Sequence, residues 1–102
     1  MAELTVIRWR DIPMQVVARA SDGTSARALL SERFQEAVDA AAMVAGLIGS
    51  DDYTAQMAMD RREIDDDAAQ AEVDSTVAAL EAQWSDELLR AVIRTGGVRE
   101  GA

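Results

Sequence analysis

The stretch ELTVIRWRDIPMQVVARA, residues 3–20, decides how the rest of this chain folds. Two runs rich in β-branched residues, 4–7 and 14–17, flank the segment RDIP at 10–13, and Trp9 extends the first run. Asp favours a turn because it bonds its own backbone, and Pro fixes φ and lacks an N–H. The pattern predicts a β-hairpin over the whole stretch. Because a lone hairpin is only marginally stable, helices or a third strand must pack on it.

The size and composition of the chain predict a single domain over residues 1–102. Hydrophobic residues make up 49% of the sequence, which is enough for a core, but aromatic residues make up only 4%. The rest of the apolar content is rich in Ala. We therefore expect a thin core in which backbones approach closely.

The charge of the chain restricts its partners. A formal net charge of −9 argues against nucleic acid and anionic membranes as partners. All ten basic residues are Arg, which makes bidentate contacts with carboxylates and enters interfaces more readily than Lys. Together with the high Ala content, this usage is typical of a GC-rich bacterial genome.

The sequence contains neither Cys nor His. The absence of Cys excludes disulfides, iron–sulfur ligation and thiol chemistry. The absence of His removes the commonest general base and the commonest metal ligand. The first residues, MAELT, have no basic and apolar leader pattern, and the apolar stretch 40–48 is too short to span a bilayer. We therefore expect a cytoplasmic protein.

The region after the hairpin predicts a loop and then a helix. Residues 21–25 are small and polar, which favours a loop. A helix is predicted over about 30–47, ended by Gly46 and Gly49. Its apolar stripe recurs at three- and four-residue spacing and comprises Leu30, Phe34, Val38, Ala41, Ala45 and Ile48.

The second half of the chain predicts further helices. Ser50 is a candidate N-cap of a short helix through Ala55. Residues 56–64 suit either a strand or a helix, and we favour a short third strand beside the hairpin. Helices are predicted over 66–95, restarting near Ser85, before a loose tail at 96–102. One helix face carries Val73, Val77, Leu80, Trp84 and Leu88.

These elements predict an α+β fold. A small antiparallel sheet begins with the N-terminal hairpin, and two or three helices pack on one face of that sheet. The helices over 30–48 and 73–88 form this layer.

Two strings in the N-terminal half resemble the small bacterial domain family called virulence factor. They are LTVIRWRDIPMQVVARA, from Leu4, and SERFQEAVDAAAMVAGLIGSDDY, which ends at Tyr53. The match is weaker beyond Tyr53, where MAMDRR at 57–62 replaces the expected aromatic and basic residues. The resemblance supplies no catalytic residue. Stand-alone members often lie beside genes of methyl-group and one-carbon metabolism, which implies an accessory subunit of such an enzyme.

No motif predicts a catalytic or metal site. Asp65-Asp66-Asp67 offers oxygen ligands for a hard cation, but acids before a helix are an ordinary capping arrangement, which we favour. No spacing singles out a pair among the nineteen acids for acid–base chemistry. The hydroxyls of Tyr53, Ser31 and Thr5 have no activating His. We therefore expect no catalysis by the chain alone, no cofactor and no metal.

Two Arg clusters have alternative interpretations. Arg8, Arg10 and Arg19 lie on the hairpin around Trp9, a pattern that also binds phosphate or single-stranded nucleic acid. The acidic balance instead favours pairing with carboxylates, inside the protein or on a partner. The same two interpretations apply to the Arg61-Arg62 pair.

The first strand has apolar residues on both faces, which predicts an interface. Strict alternation places Leu4 and Val6 on one face and Ile7 and Trp9 on the other. An exposed Trp flanked by Arg has the composition of an interface hot spot. The predicted partner-binding residues are Ile7, Arg8, Trp9, Arg10, Arg61 and Arg62.

The leading functional hypothesis is a non-catalytic accessory subunit that binds a larger protein, an enzyme of one-carbon metabolism by the resemblance. One alternative is a small enzyme or ligand-binding domain that uses carboxylates and Arg. The other is a homodimer whose sheets pair with each other.

Overall fold

A four-stranded antiparallel sheet is the centre of the molecule, as seen in a computed structural model that describes residues 1–47 and 51–98. The strand order is β3-β2-β1-β4, so the hairpin forms the middle of the sheet. The predicted α+β class is confirmed. The strands are β1 (Ala2–Trp9), β2 (Ile12–Arg19), β3 (Ser25–Leu29) and β4 (Met57–Ile64).

The predicted hairpin is present with a tighter turn than expected. Arg10 and Asp11 alone connect the strands, and Arg10 takes a positive φ of 50°. Ile12 and Pro13 already belong to β2. The pairing shifts between Ile7 opposite Gln15 and Arg8 opposite Pro13, which leaves Met14 without a partner on β1 and marks a β-bulge.

Both edges of the sheet come from sequence with weak strand signals. The ambiguous segment 56–64 forms β4, which pairs with β1 from Ala2 opposite Ile64 to Trp9 opposite Met57. This agrees with the favoured third strand. The prediction missed β3, which pairs with β2 directly after the loop. Its sequence SARAL alternates correctly but is short and contains two Ala, so it carries little β propensity.

The helix predicted over about 30–47 is α1 (Glu32–Ala45). Phe34, Val38 and Ala41 of the predicted stripe are buried. Gly46 ends the helix at φ 73°, because a left-handed conformation there lets its N–H reach the carbonyl of Met43. The predicted roles of Ile48, Gly49 and Ser50 fall outside the described residues. A short helix α2 (Asp51–Ala55) follows.

The region predicted as helices over 66–95 holds a 3₁₀ turn (Asp66–Ala68), α3 (Ala69–Gln83) and α4 (Asp86–Arg94). The predicted restart at Ser85 is confirmed, since its Oγ accepts the N–H of Leu88 at 3.1 Å. The predicted loose tail from residue 96 is wrong at its start. Gly96 and Gly97 are buried beside the hairpin turn, where the carbonyl of Gly97 accepts the N–H of Asp11 at 3.0 Å.

The helices cover one face of the sheet in two adjoining clusters. Near the hairpin turn, Trp9, Ile12 and Phe34 pack with residues of α1 and α4. At the other end of the strands, Leu4 and Val16 pack against Val73 of α3. Val77 and Leu80 of α3 are half-buried and contact both clusters, so α3 joins them into one layer.

Candidate interaction surface

The sheet face opposite the helices is covered by no element within the described part of the chain. We call it the open face. Side chains of alternate residues on each strand point to it, and the strand pairing arranges them in three rows of four. Read from β3 to β4, the rows are Ser25, Arg19, Glu3, Glu63; then Arg27, Val17, Thr5, Arg61; then Leu29, Gln15, Ile7, Met59.

The middle of the open face is a shallow depression of about 420 Å³ that opens to solvent. Its floor is formed by short or β-branched side chains, Thr5 and Val17, and longer side chains stand around them. The third row is mainly apolar, and Leu29 and Met59 are 74% and 52% exposed. Exposed apolar groups beside Arg are the composition of a protein interface.

The charges of the open face are unlike those of the whole chain. Three Arg and two Glu give the face a charge of +1, whereas the chain carries −9. Arg61 lies 3.6 Å from the carboxylate of Glu3. Within residues 1–47 and 51–98, the guanidinium groups of Arg19 and Arg27 make no ion pair or hydrogen bond. The β2–β3 half of the face therefore presents two uncompensated cations.

Trp9 does not lie on the open face, and the prediction of an exposed Trp9 is wrong. Its side chain is fully buried, and its indole N–H donates to the carbonyl of Tyr53 at 2.8 Å. The Tyr53 ring lies 5.6 Å from that of Trp9. The physical reason is that later parts of the chain cover Trp9 at the end of β1: Tyr53 of α2 and Gly97 after α4 both lie against its ring, which alternation along β1 could not predict.

Four of the five other predicted partner-binding residues separate into two groups. Ile7 and Arg61 lie on the open face. Arg8 and Arg62 bond carboxylates within the protein: Arg8 Nε donates to Asp60 at 2.9 Å, and Arg62 donates to Glu72 of α3 at 2.8 Å. The favoured interpretation of pairing inside the protein therefore holds for these two residues.

Arg10 fastens the hairpin turn to the end of α4. Its guanidinium donates to the carbonyl of Gly96 at 2.9 Å and to the side-chain oxygen of Gln56 at 3.2 Å, and it lies 5.3 Å from the centre of the Trp9 ring. Gly97 lies so close to Trp9 that a Cβ there would stand 2.6 Å from the ring. These contacts give Arg10 a structural role.

A polar network that the sequence did not predict joins α1 to α3 and α4. The carboxylate of Glu81 accepts the N–H and the hydroxyl of Ser31 at 2.7 and 2.9 Å, and Arg33 reaches Glu81 and Asp86. Burial raises the pKa of Glu81, but the hydrogen bonds from Ser31 and Arg33 outweigh it and leave the pKa below its usual value. Ser31 and Glu81 are fifty residues apart, so no local pattern signals the pair.

The acids Asp65-Asp66-Asp67 lie at the start of the 3₁₀ turn, and one of them also binds the N-terminus of the chain. Asp65 stands at the N-cap position of the 3₁₀ turn. Asp66 accepts the N–H and hydroxyl of Ser21, which lower its pKa, and lies 3.4 Å from the N-terminal ammonium of Met1. No group of three or more potential metal ligands forms among residues 1–47 and 51–98.

Of the twelve residues of the open face, only Ile7 and Arg61 were predicted from the sequence to bind a partner; those not predicted include Arg27, Leu29 and Met59. Arg27 and Leu29 belong to the missed strand. The alternation in SARAL is the signal that would have placed them. Met59 was recognised as part of an alternating pattern but had no assigned role.

The protein is thus an α+β domain whose sheet is covered by helices on one face and, as far as residues 1–47 and 51–98 are concerned, open on the other. Over residues 7–93 it matches the model of the virulence factor family, and it belongs to that family. No curated protein and no solved structure matches the chain. Within the residues the structure describes, no helix has the length and apolar character needed to cross a membrane.

Proposed function

We propose that the protein is a non-catalytic accessory subunit that binds a larger protein through the open face. The observation that carries this proposal is the apolar row of exposed Leu29 and Met59 and half-buried Ile7 beside two Arg residues without a counter-ion in the described part of the chain. Water contacts this surface in the isolated chain. A partner would remove apolar area from water and supply acids to Arg19 and Arg27.

The rigidity of the surface also supports docking. The row residues project from a four-stranded sheet whose other face is packed against helices. A surface held in this way loses little conformational entropy when it binds. Of the residues predicted from sequence, Ile7 and Arg61 remain in the proposed interface, while Trp9 is buried in the core and leaves it.

The geometry of the open face does not identify the partner. That it is an enzyme of one-carbon metabolism stays a prediction from the family resemblance. Three Arg residues around the central depression favour the alternative of a small anionic ligand. The depression is open along the sheet, however, and ligand sites usually enclose most of their ligand. Docking of a protein therefore suits the surface better.

The test compares two exposed methionines on different surfaces. Met59 lies on the open face and Met43 lies on α1, with exposures of 52% and 71%. Met59→Asp and Met43→Asp each add one charge at an exposed site. Quantitative affinity purification from the native cell should recover a partner with the wild type and with Met43→Asp but lose it with Met59→Asp. Recovery of the same proteins with all three baits would refute docking through the open face.

A further inference from the structure

The open face has the symmetry needed to pack against a second copy of itself. A twofold axis parallel to the strands exchanges β1 with β2 and β3 with β4, and it leaves each row facing the same row of the other copy. In the first row, Arg19 then faces Glu3 of the second copy, and Glu3 faces Arg19. Two identical ion pairs result from one operation.

The third row is also compatible with this axis. Leu29 faces Met59 of the second copy, and Ile7 faces Gln15. The most exposed apolar side chains of the face therefore contact each other at both ends of the row. Packed sheets usually keep their strand directions within about 30° of each other, which this axis allows.

The other in-plane axis, perpendicular to the strands, fits poorly. It would place the first row over the third, so that Glu3 faces Ile7 and Glu63 faces Met59 of the second copy. Carboxylates would then lose water against apolar groups without gaining a partner. The parallel axis has two identical unfavourable contacts, Arg27 of each copy over Arg61 of the other, which limit affinity.

We propose that a second copy of this chain closes the open face, in a face-to-face dimer whose twofold axis runs along the strands. The inference rests on the same surface as the proposed function, but the occupant is the chain itself. Four strands and three rows span roughly 20 Å by 20 Å, so each copy contributes about 400 Å² of projected area. That is below the size of a standard stable interface, so the dimer is weak and a larger partner can replace the second copy.

Complementary charge reversals test this geometry. Glu3 and Arg19 are both exposed, so reversal at either site should leave the fold intact, which circular dichroism checks. Arg19→Glu places two acids opposite each other, and Glu3→Arg places two bases opposite each other. An equimolar mixture of the two variants restores both pairs, because each acid of one chain then faces a base of the other.

Sedimentation equilibrium from about 10 μM to about 1 mM covers the affinity expected of such a small interface. The average mass of the wild type should rise from 11.0 kDa toward twice that value. Each single variant should dissociate at least about tenfold more readily, and the mixture should recover wild-type association. Arg90→Glu is the control for Arg19→Glu, because it makes the same change of charge at an exposed site on α4, away from the open face. It should associate like the wild type.

Three results would overturn the dimer. They are a wild type that stays at 11.0 kDa throughout, single variants that associate as well as the wild type, and a mixture that fails to recover. A monomeric wild type would leave the proposed docking of a larger protein intact, because the comparison of Met59→Asp with Met43→Asp tests that separately. If the wild type stays monomeric and Met59→Asp also recovers the same proteins as the wild type, the open face has no role in binding.

Discussion

Replacing Trp9 with Ala should strongly destabilise the isolated protein. Trp9 is fully buried between the hairpin turn, Tyr53 and the end of α4. A buried Trp removes up to about 250 Å² from water, and Ala retains only part of that. A difference of about 150 Å², at about 25 cal/mol per Å², gives about 4 kcal/mol. Large-to-small core substitutions of this kind cost about 3–5 kcal/mol.

The lost hydrogen bond adds to this cost. The indole N–H donates to the Tyr53 carbonyl at 2.8 Å, and Ala leaves that carbonyl without this donor. Since domains of this size unfold at about 5–15 kcal/mol, Trp9→Ala should remove a large fraction of the total stability. Urea denaturation followed by far-ultraviolet circular dichroism measures the change. Trp9→Phe, which keeps a ring but loses the donor, should cost less.

Met57 provides the matched control. It pairs with Trp9 across β1 and β4 but is 36% exposed, so Met57→Ala should cost about 1 kcal/mol or less. A loss below about 1 kcal/mol for Trp9→Ala would contradict the burial of Trp9. Such a small loss would instead support the sequence-based prediction that Trp9 is exposed in an interface.

Three further predictions test other parts of the fold. Gly97→Ala should lower the free energy of unfolding by about 2 kcal/mol or more in thermal denaturation, because it adds a Cβ 2.6 Å from the Trp9 ring at φ 97°. Gly23→Ala is the control: its φ is 90° and no neighbour lies within 4 Å, so it should show only the backbone strain of about 1 kcal/mol. Phe34→Ala should cost about 3–5 kcal/mol in urea, and a loss under 1 kcal/mol would mean that α1 buries another face. The pKa of Glu81 is lowered in the folded protein, so its charge stabilises the fold above the usual value of 4.5 and this advantage is lost as the pH falls through the folded pKa. Wild type and Glu81→Gln should therefore differ most near neutral pH and converge in acid, and a constant difference in unfolding free energy across this range would contradict the role of the carboxylate.

The sequence predicted the elements whose signals are local. The hairpin follows from β-branched runs and a turn, and α1 and α3 follow from apolar residues at helical spacing. The restart at Ser85 follows from a capping residue before two acids. These features depend on neighbours within a few residues, so one sequence is enough to find them.

The features that sequence reasoning missed depend on distant contacts. β3 has a weak propensity and becomes a strand because β2 offers a free edge beside the helix layer. Trp9 is buried by Tyr53 and Gly97, which approach from later parts of the chain. The open face was expected from the apolar groups on both sides of β1, but only Ile7 of its predicted apolar residues lies there.

The lengths of the helices explain why one sheet face is left open. α1 has 14 residues and α3 has 15, so each is about 21–23 Å long, close to the width of about 19 Å expected for four strands. Because packed helices lie 8–10 Å apart, two of them cover about one face of this sheet. Helix α4 has nine residues and packs mainly on α1, and it meets the sheet at the hairpin end, beside Trp9 and Ile12. Any cover for Ile7, Val17 and Met59 must then come from outside the described residues, and both the larger partner and the second copy proposed above would supply it.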